Sequence, residues 1–106
     1  MKLEFSQAHS YDLATLRTRA QARLEVYAAR YPHLDLAAHF AWKSDRVVTG
    51  SYRGGDGTIT LHDRRADVLL DLPFFARPFR DRITAFIQRE LALVASPEVT
   101  LEQLRQ

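Results

Sequence analysis

The side chains here that could do acid–base or metal chemistry are His9, His33, His39 and His62, with Asp63, Asp67 and Asp71. A zinc-type centre needs several ligands converging at short range. The histidines show no tight ligand-like pairing, and a chain without cysteine excludes thiolate catalysis, disulfides and sulfur-ligated zinc. Asp67 and Asp71 share one face of an alternating segment, which would suit an acid–base pair if a pocket separated their proton affinities. Beside Arg64 and Arg65 they read instead as solvated carboxylates paired across a sheet. His9-Ser10 has no identifiable third member of a nucleophilic triad, and Ser10 is placed as a helix cap. The turn Arg53-Gly54-Gly55-Asp56-Gly57 lacks the strand–loop–helix context and the Lys-Ser/Thr of a phosphate loop. The sequence predicts no catalytic residue, no metal site and no cofactor.

Two other groups of residues suit binding rather than reaction. Of fifteen basic residues only Lys2 and Lys43 are lysine, which leaves thirteen arginines, and the rigid guanidinium fork suits carboxylates and phosphates. Arg17, Arg19, Arg23 and Arg77 are the candidates for contact with an anionic surface. On that reading, reversing Arg19 and Arg23 weakens anion binding without unfolding the domain. Trp42, Tyr52, Phe74 and Phe75 are the candidates for an apolar groove or surface. Phe74 and Phe75 are adjacent, so both cannot point inward from an extended segment; one is free to line a pocket, cap a sheet edge or meet a second copy in a homodimer.

The elements that must position these residues follow from patterning. A chain of 106 residues makes one domain, expected over residues 1–97, with 98–106 a tail that is either a frayed turn or docked. A hydrophobic share of 46% excludes a wholly disordered chain, and a net charge of +2 is too small to imply a nucleic-acid partner. No apolar run approaches the roughly 20 residues of a membrane span, and MKLEFSQAHS has no signal-peptide core, so a cytoplasmic protein is expected. Residues 2–6 alternate as a strand. Leu13, Leu16, Ala20, Leu24, Tyr27 and Tyr31 recur at helical spacing and stop at Pro32. Leu36–Lys43, Val47–Tyr52, Thr58–His62 and Ala66–Leu72 alternate as four strands with tight links. A second helix opens at Pro78 and stops at Pro97.

The order β-α-β-β-β-β-α predicts an α+β domain, an antiparallel meander covered on one face by two helices. The expected core holds Phe5, Leu16, Leu24, Phe40, Trp42, Ile59, Leu61, Val68, Leu70, Phe79, Ile83 and Phe86. LDLPFFARPFRDRI, residues 70–83, is expected to act as a buried clasp fastening the last helix to the sheet, with Phe79→Ala costing roughly 3–5 kcal/mol.

The Leu-Pro-x-x-x-Arg-Pro-Phe arrangement at Leu72–Phe79, running on into AFIQREL, resembles the polyhydroxyalkanoic acid system family, also called the polyhydroxyalkanoate granule-region family. His9-Ser10 before an arginine- and alanine-rich helix, Trp42 with Asp45, and the glycine-bearing turn before Gly57-Thr58-Ile59 fit it too. The likeness runs from about Leu3 to Leu93; Tyr11 after His9-Ser10 and the tail after Pro97 depart from it. It implies a bacterial, noncatalytic protein associated with storage granules or polyester metabolism, with a polyester surface or an apolar small molecule as partner. It supplies no catalytic residues. The alternative is a soluble binder of a lipid-like or acyl ligand, on the analogy of a reduced helix-grip domain.

Overall fold

Leu3 and Phe5 alternate with Lys2, Glu4 and Ser6 in the first strand, β1 (Lys2–Ala8), of a computed structural model that describes residues 1–106. Helix α1 (Leu13–Arg30) is capped by Asp12, not by Ser10. The Asp12 carboxylate accepts from the Thr15 amide at 2.7 Å, and this bond holds the Asp12 carboxyl below its ordinary value. With 18 residues, α1 spans roughly 27 Å, enough to carry the chain from one sheet edge to the other. It ends at Arg30, and Pro32–Leu34 form a 3-10 turn.

The segment expected as one strand from Leu36 divides. Leu36–His39 is a helical turn, α2, and only Phe40–Trp42 forms strand β2. Leu-Ala-Ala-His fits a period of two, but alanine and leucine are strong helix formers and alanine marks neither face clearly. Strands β3 (Val47–Tyr52), β4 (Gly55–Leu61) and β5 (Arg65–Asp71) return as a meander, with spatial order β1-β5-β4-β3-β2. Every pairing is antiparallel. The β3–β4 link is tighter than the glycines suggest. Arg53 and Gly54 alone make the turn, with φ of 50° and 84°, the left-handed pair of a two-residue hairpin. Gly55 and Gly57 already lie in β4. Gly50 is needed for another reason: a Cβ there would stand 2.2 Å from the Phe40 ring, which lies over it.

A 3-10 segment, Phe74–Phe79, leads into α3 (Arg80–Ala95), and α4 (Leu101–Leu104) follows. This is the α+β order predicted from the sequence. Register aligns Phe5, Val68, Ile59 and Val48 in one row across the sheet. Leu16 of α1 packs onto that face against Leu61 and Ala66, and α3 lies over β1. The two long helices run antiparallel, since Arg19 meets Val94 while Tyr27 meets Phe86. Residues after Pro97 dock: Thr100 and Gln103 form a capping box, and Leu104 is buried.

The core is smaller than expected. Leu16, Leu61 and Val68 are buried, whereas Phe5, Leu24, Trp42, Ile59, Leu70, Ile83 and Phe86 are half-buried and Phe40 and Phe79 are exposed. The Phe-rich stretch is therefore no buried clasp. Phe74, Phe75 and Phe79 are 80%, 60% and 52% exposed. A 3-10 helix presents three eclipsed rows, and here only Ala76 is turned partly inward.

Candidate functional site

The structure separates the arginines by role. Arg19, expected on an anion-binding surface, is only 4% exposed. Its guanidinium donates to the carbonyls of Val94 at 2.8 Å, Val99 at 2.6 Å, Ser96 at 2.9 Å and Leu93 at 3.2 Å. These include carbonyls at the end of α3 that have no partner within the helix. The group also lies 4.4 Å from the Tyr11 ring centre, and the Tyr11 hydroxyl donates to the Ser96 carbonyl. A cation at a helix C-terminus opposes the negative end of the helix dipole. Arg19 is thus an internal cap joining α1, α3 and the last segment. Helical spacing put it beside the apolar stripe, but nothing local in the sequence signalled its partners.

Arg23 is also occupied. Its Nε donates to Glu90 at 2.7 Å and its Nη2 to the other Glu90 oxygen at 3.2 Å. The Tyr27 hydroxyl donates to Glu90 as well. Burial works to raise the Glu90 carboxyl, but the bonds from Arg23 and Tyr27 and the positive charges of Arg23 and Arg89 outweigh it and hold it low. Burial, with the Glu90 bond, pushes the Tyr27 hydroxyl up; the Glu90 bond raises Arg23. A carboxyl depressed by folding adds stability that is complete above its ordinary value of 4.5 and is lost as pH falls through the lower folded value. Thermal midpoints measured from about pH 3 to 7 should therefore fall on the acid side, and Glu90→Gln should flatten that fall. An unchanged acid slope in the variant would remove Glu90 from the account.

His33 and His39 meet only the Tyr31 and Tyr52 rings, edge-on; the other titratable residues singled out by type are engaged. The His9 ring donates through Nε2 to the His62 carbonyl at 2.8 Å and accepts the Tyr11 amide at Nδ1. His62 stands 3.1 Å from Asp67, which also receives Ser6 at 2.7 Å and Arg65 at 3.1 Å. Partial burial opposes ionisation of Asp67, yet these partners draw its carboxyl down. Asp63 pairs with Arg46, and Asp71 lies 3.9 Å from the Met1 amine. No three His, Asp or Glu side chains gather as metal ligands.

Two apolar features remain. The first is a cavity of about 210 Å³ between α1, α2 and the β2 edge, lined by Leu24, Tyr27, Leu36, Phe40, Trp42 and Val48 among others. The Trp42 indole donates to Gln21 at 2.7 Å, and Arg17 stands 4.5 Å over its ring. The second is the 3-10 knuckle itself, where Phe74 and Phe75 meet edge to face at 6.1 Å. The four aromatics nominated from the sequence thus fall in different places. Trp42 lines the cavity, Tyr52 packs edge-on against His39 at 5.0 Å, and Phe74 and Phe75 project with exposed Phe79. Arg77 is exposed on the knuckle, followed by exposed Arg80 and Arg82 at the start of α3. None of these three arginines forms an ion pair or side-chain hydrogen bond, in contrast to Arg19, Arg23, Arg46 and Arg65.

A family model described as polyhydroxyalkanoic acid system protein matches residues 3–94, from β1 to the last turn of α3. The chain belongs to that family. Membership links it to polyhydroxyalkanoate granule biology, and the matched span contains the exposed knuckle, the Arg23–Tyr27–Glu90 group and the apolar cavity. No curated protein and no solved structure matches the chain. No helix is long and apolar enough to cross a membrane.

Proposed function

We propose that this polyhydroxyalkanoate-system protein is noncatalytic and seats on the cytoplasmic face of a storage granule through the knuckle formed by Phe74, Phe75 and Phe79. One observation carries the reading: three phenylalanines within six residues are 80%, 60% and 52% exposed, although fully burying one from water contributes roughly 1.5–3 kcal/mol. Exposed apolar patches of this kind mark contact sites. Granule contact supplies the apolar surface that the fold withholds.

Purified protein should sediment saturably with washed polyhydroxyalkanoate granules, and Phe74→Ser/Phe75→Ser should lose most of that binding while melting like wild type. Retained binding by the folded double variant would reject the knuckle as the contact.

The cavity favours a second reading, a soluble protein holding a short acyl or other lipid-like chain. Its lining is almost wholly apolar, with Trp42 at one wall. At about 210 Å³ it is below the roughly 300–1,000 Å³ of most ligand sites. This reading ranks second for that reason. It requires a small molecule recovered from the folded protein at fixed stoichiometry.

A further inference from the structure

We infer that the knuckle binds an anionic phospholipid layer: Phe74, Phe75 and Phe79 enter the acyl boundary while Arg77, Arg80 and Arg82 hold headgroup phosphates. The inference deepens the granule reading by naming the chemistry of the surface. It rests on exposed aromatics and exposed arginines that follow one another through the 3-10 segment and into the first turn of α3. Arg77 follows Phe74 by three residues, one turn of 3-10 helix, and so lies in the same row. Arg80 and Arg82 continue directly into the first turn of α3. All three guanidinium groups are exposed and unpaired, and Asp81 between them forms no ion pair.

Asp81 is the one negative charge in the first turn of α3, so Arg77, Arg80 and Arg82 leave an excess of positive charge beside the positive end of the helix dipole, where an anionic partner is favoured. A bare polyester offers neutral ester carbonyls and would satisfy the rings without using the arginines. A second copy of this chain would bring the same positive charges face to face. A phospholipid layer offers apolar depth and phosphate within one side-chain length of each other. Interfacial segments of this composition bind by combining the two terms.

The test is cosedimentation with vesicles of phosphatidylglycerol and phosphatidylcholine, vesicles of phosphatidylcholine alone, and lipid-free polyhydroxyalkanoate particles. Wild type should bind the anionic vesicles and release them as salt rises. Phe74→Ser/Phe75→Ser should lower partitioning at least ~10-fold, and Arg77→Gln/Arg80→Gln/Arg82→Gln about 100-fold at low salt, taking ~1 kcal/mol for each arginine. Equal binding to both vesicle types, or no vesicle binding, would overturn the lipid inference. Binding to the lipid-free particles with no vesicle binding leaves the granule reading standing without it. Vesicle binding with no particle or granule binding does the reverse. A monomer–dimer equilibrium abolished by Phe74→Ser/Phe75→Ser would assign the knuckle to a second copy and overturn the lipid inference.

Discussion

Arg19→Met should lower folding stability by about 2–4 kcal/mol, because it leaves buried neutral carbonyls without a donor at about 1–3 kcal/mol each while removing the cost of burying the charge. The substitution keeps much of the side-chain volume but removes every donor, so the carbonyls of Leu93, Val94, Ser96 and Val99 lose their shared partner in a site almost closed to water. The same change releases the last segment, because Val99 leads into α4 and Leu104 is buried behind it. Arg19→Lys keeps the charge as a point and cannot match four acceptors laid out around a planar fork, so it should recover only part of the loss. Urea unfolding monitored by circular dichroism decides the matter. A loss below about 1 kcal/mol for Arg19→Met would mean that water replaces the guanidinium. For a domain whose total stability is of the order of 5–15 kcal/mol, the expected effect approaches unfolding at the lower end.

Leu16→Ala should cost about 3–5 kcal/mol, and Phe79→Ala under about 1 kcal/mol. Leu16 has no exposed surface and packs with Leu61 and Ala66, the centre of a small core. Truncation there loses transfer energy and leaves a cavity that Trp42, Ile59 and Val94 around it fill only in part. Phe79 is the larger side chain, yet half of it is already in water, so little burial is forfeited. Paired denaturant titrations test the ordering directly. A larger loss for Phe79→Ala than for Leu16→Ala would restore the buried-clasp reading of residues 70–83.

The contrast between these residues shows what each level of structure decides. Strand–helix order, the stop at Pro32, the alternation in β3, β4 and β5 and the helical stripe carrying Leu16 were all legible, because period and proline chemistry act over a few residues. Family membership was legible too, from the Leu72–Phe79 arrangement. The short helical turn at Leu36–His39 is not legible because alanines leave the period ambiguous, and the Asp12 cap is not because Ser10 offers the same chemistry two residues earlier. Phe79 reads as core because hydrophobicity implies burial, and Phe74 and Phe75 read as groove or surface residues; only the path of the 3-10 segment shows that all three stay largely exposed. Arg19 reads as exposed because charge implies solvent. Its acceptors lie 74 to 80 positions away, and no local pattern encodes a partner at that distance. The elements and their order are local properties, since they follow from short-range sterics and periodicity. The tertiary structure alone decided which arginines are internal caps and which phenylalanines are left to meet a partner, because burial depends on what the rest of the chain brings alongside.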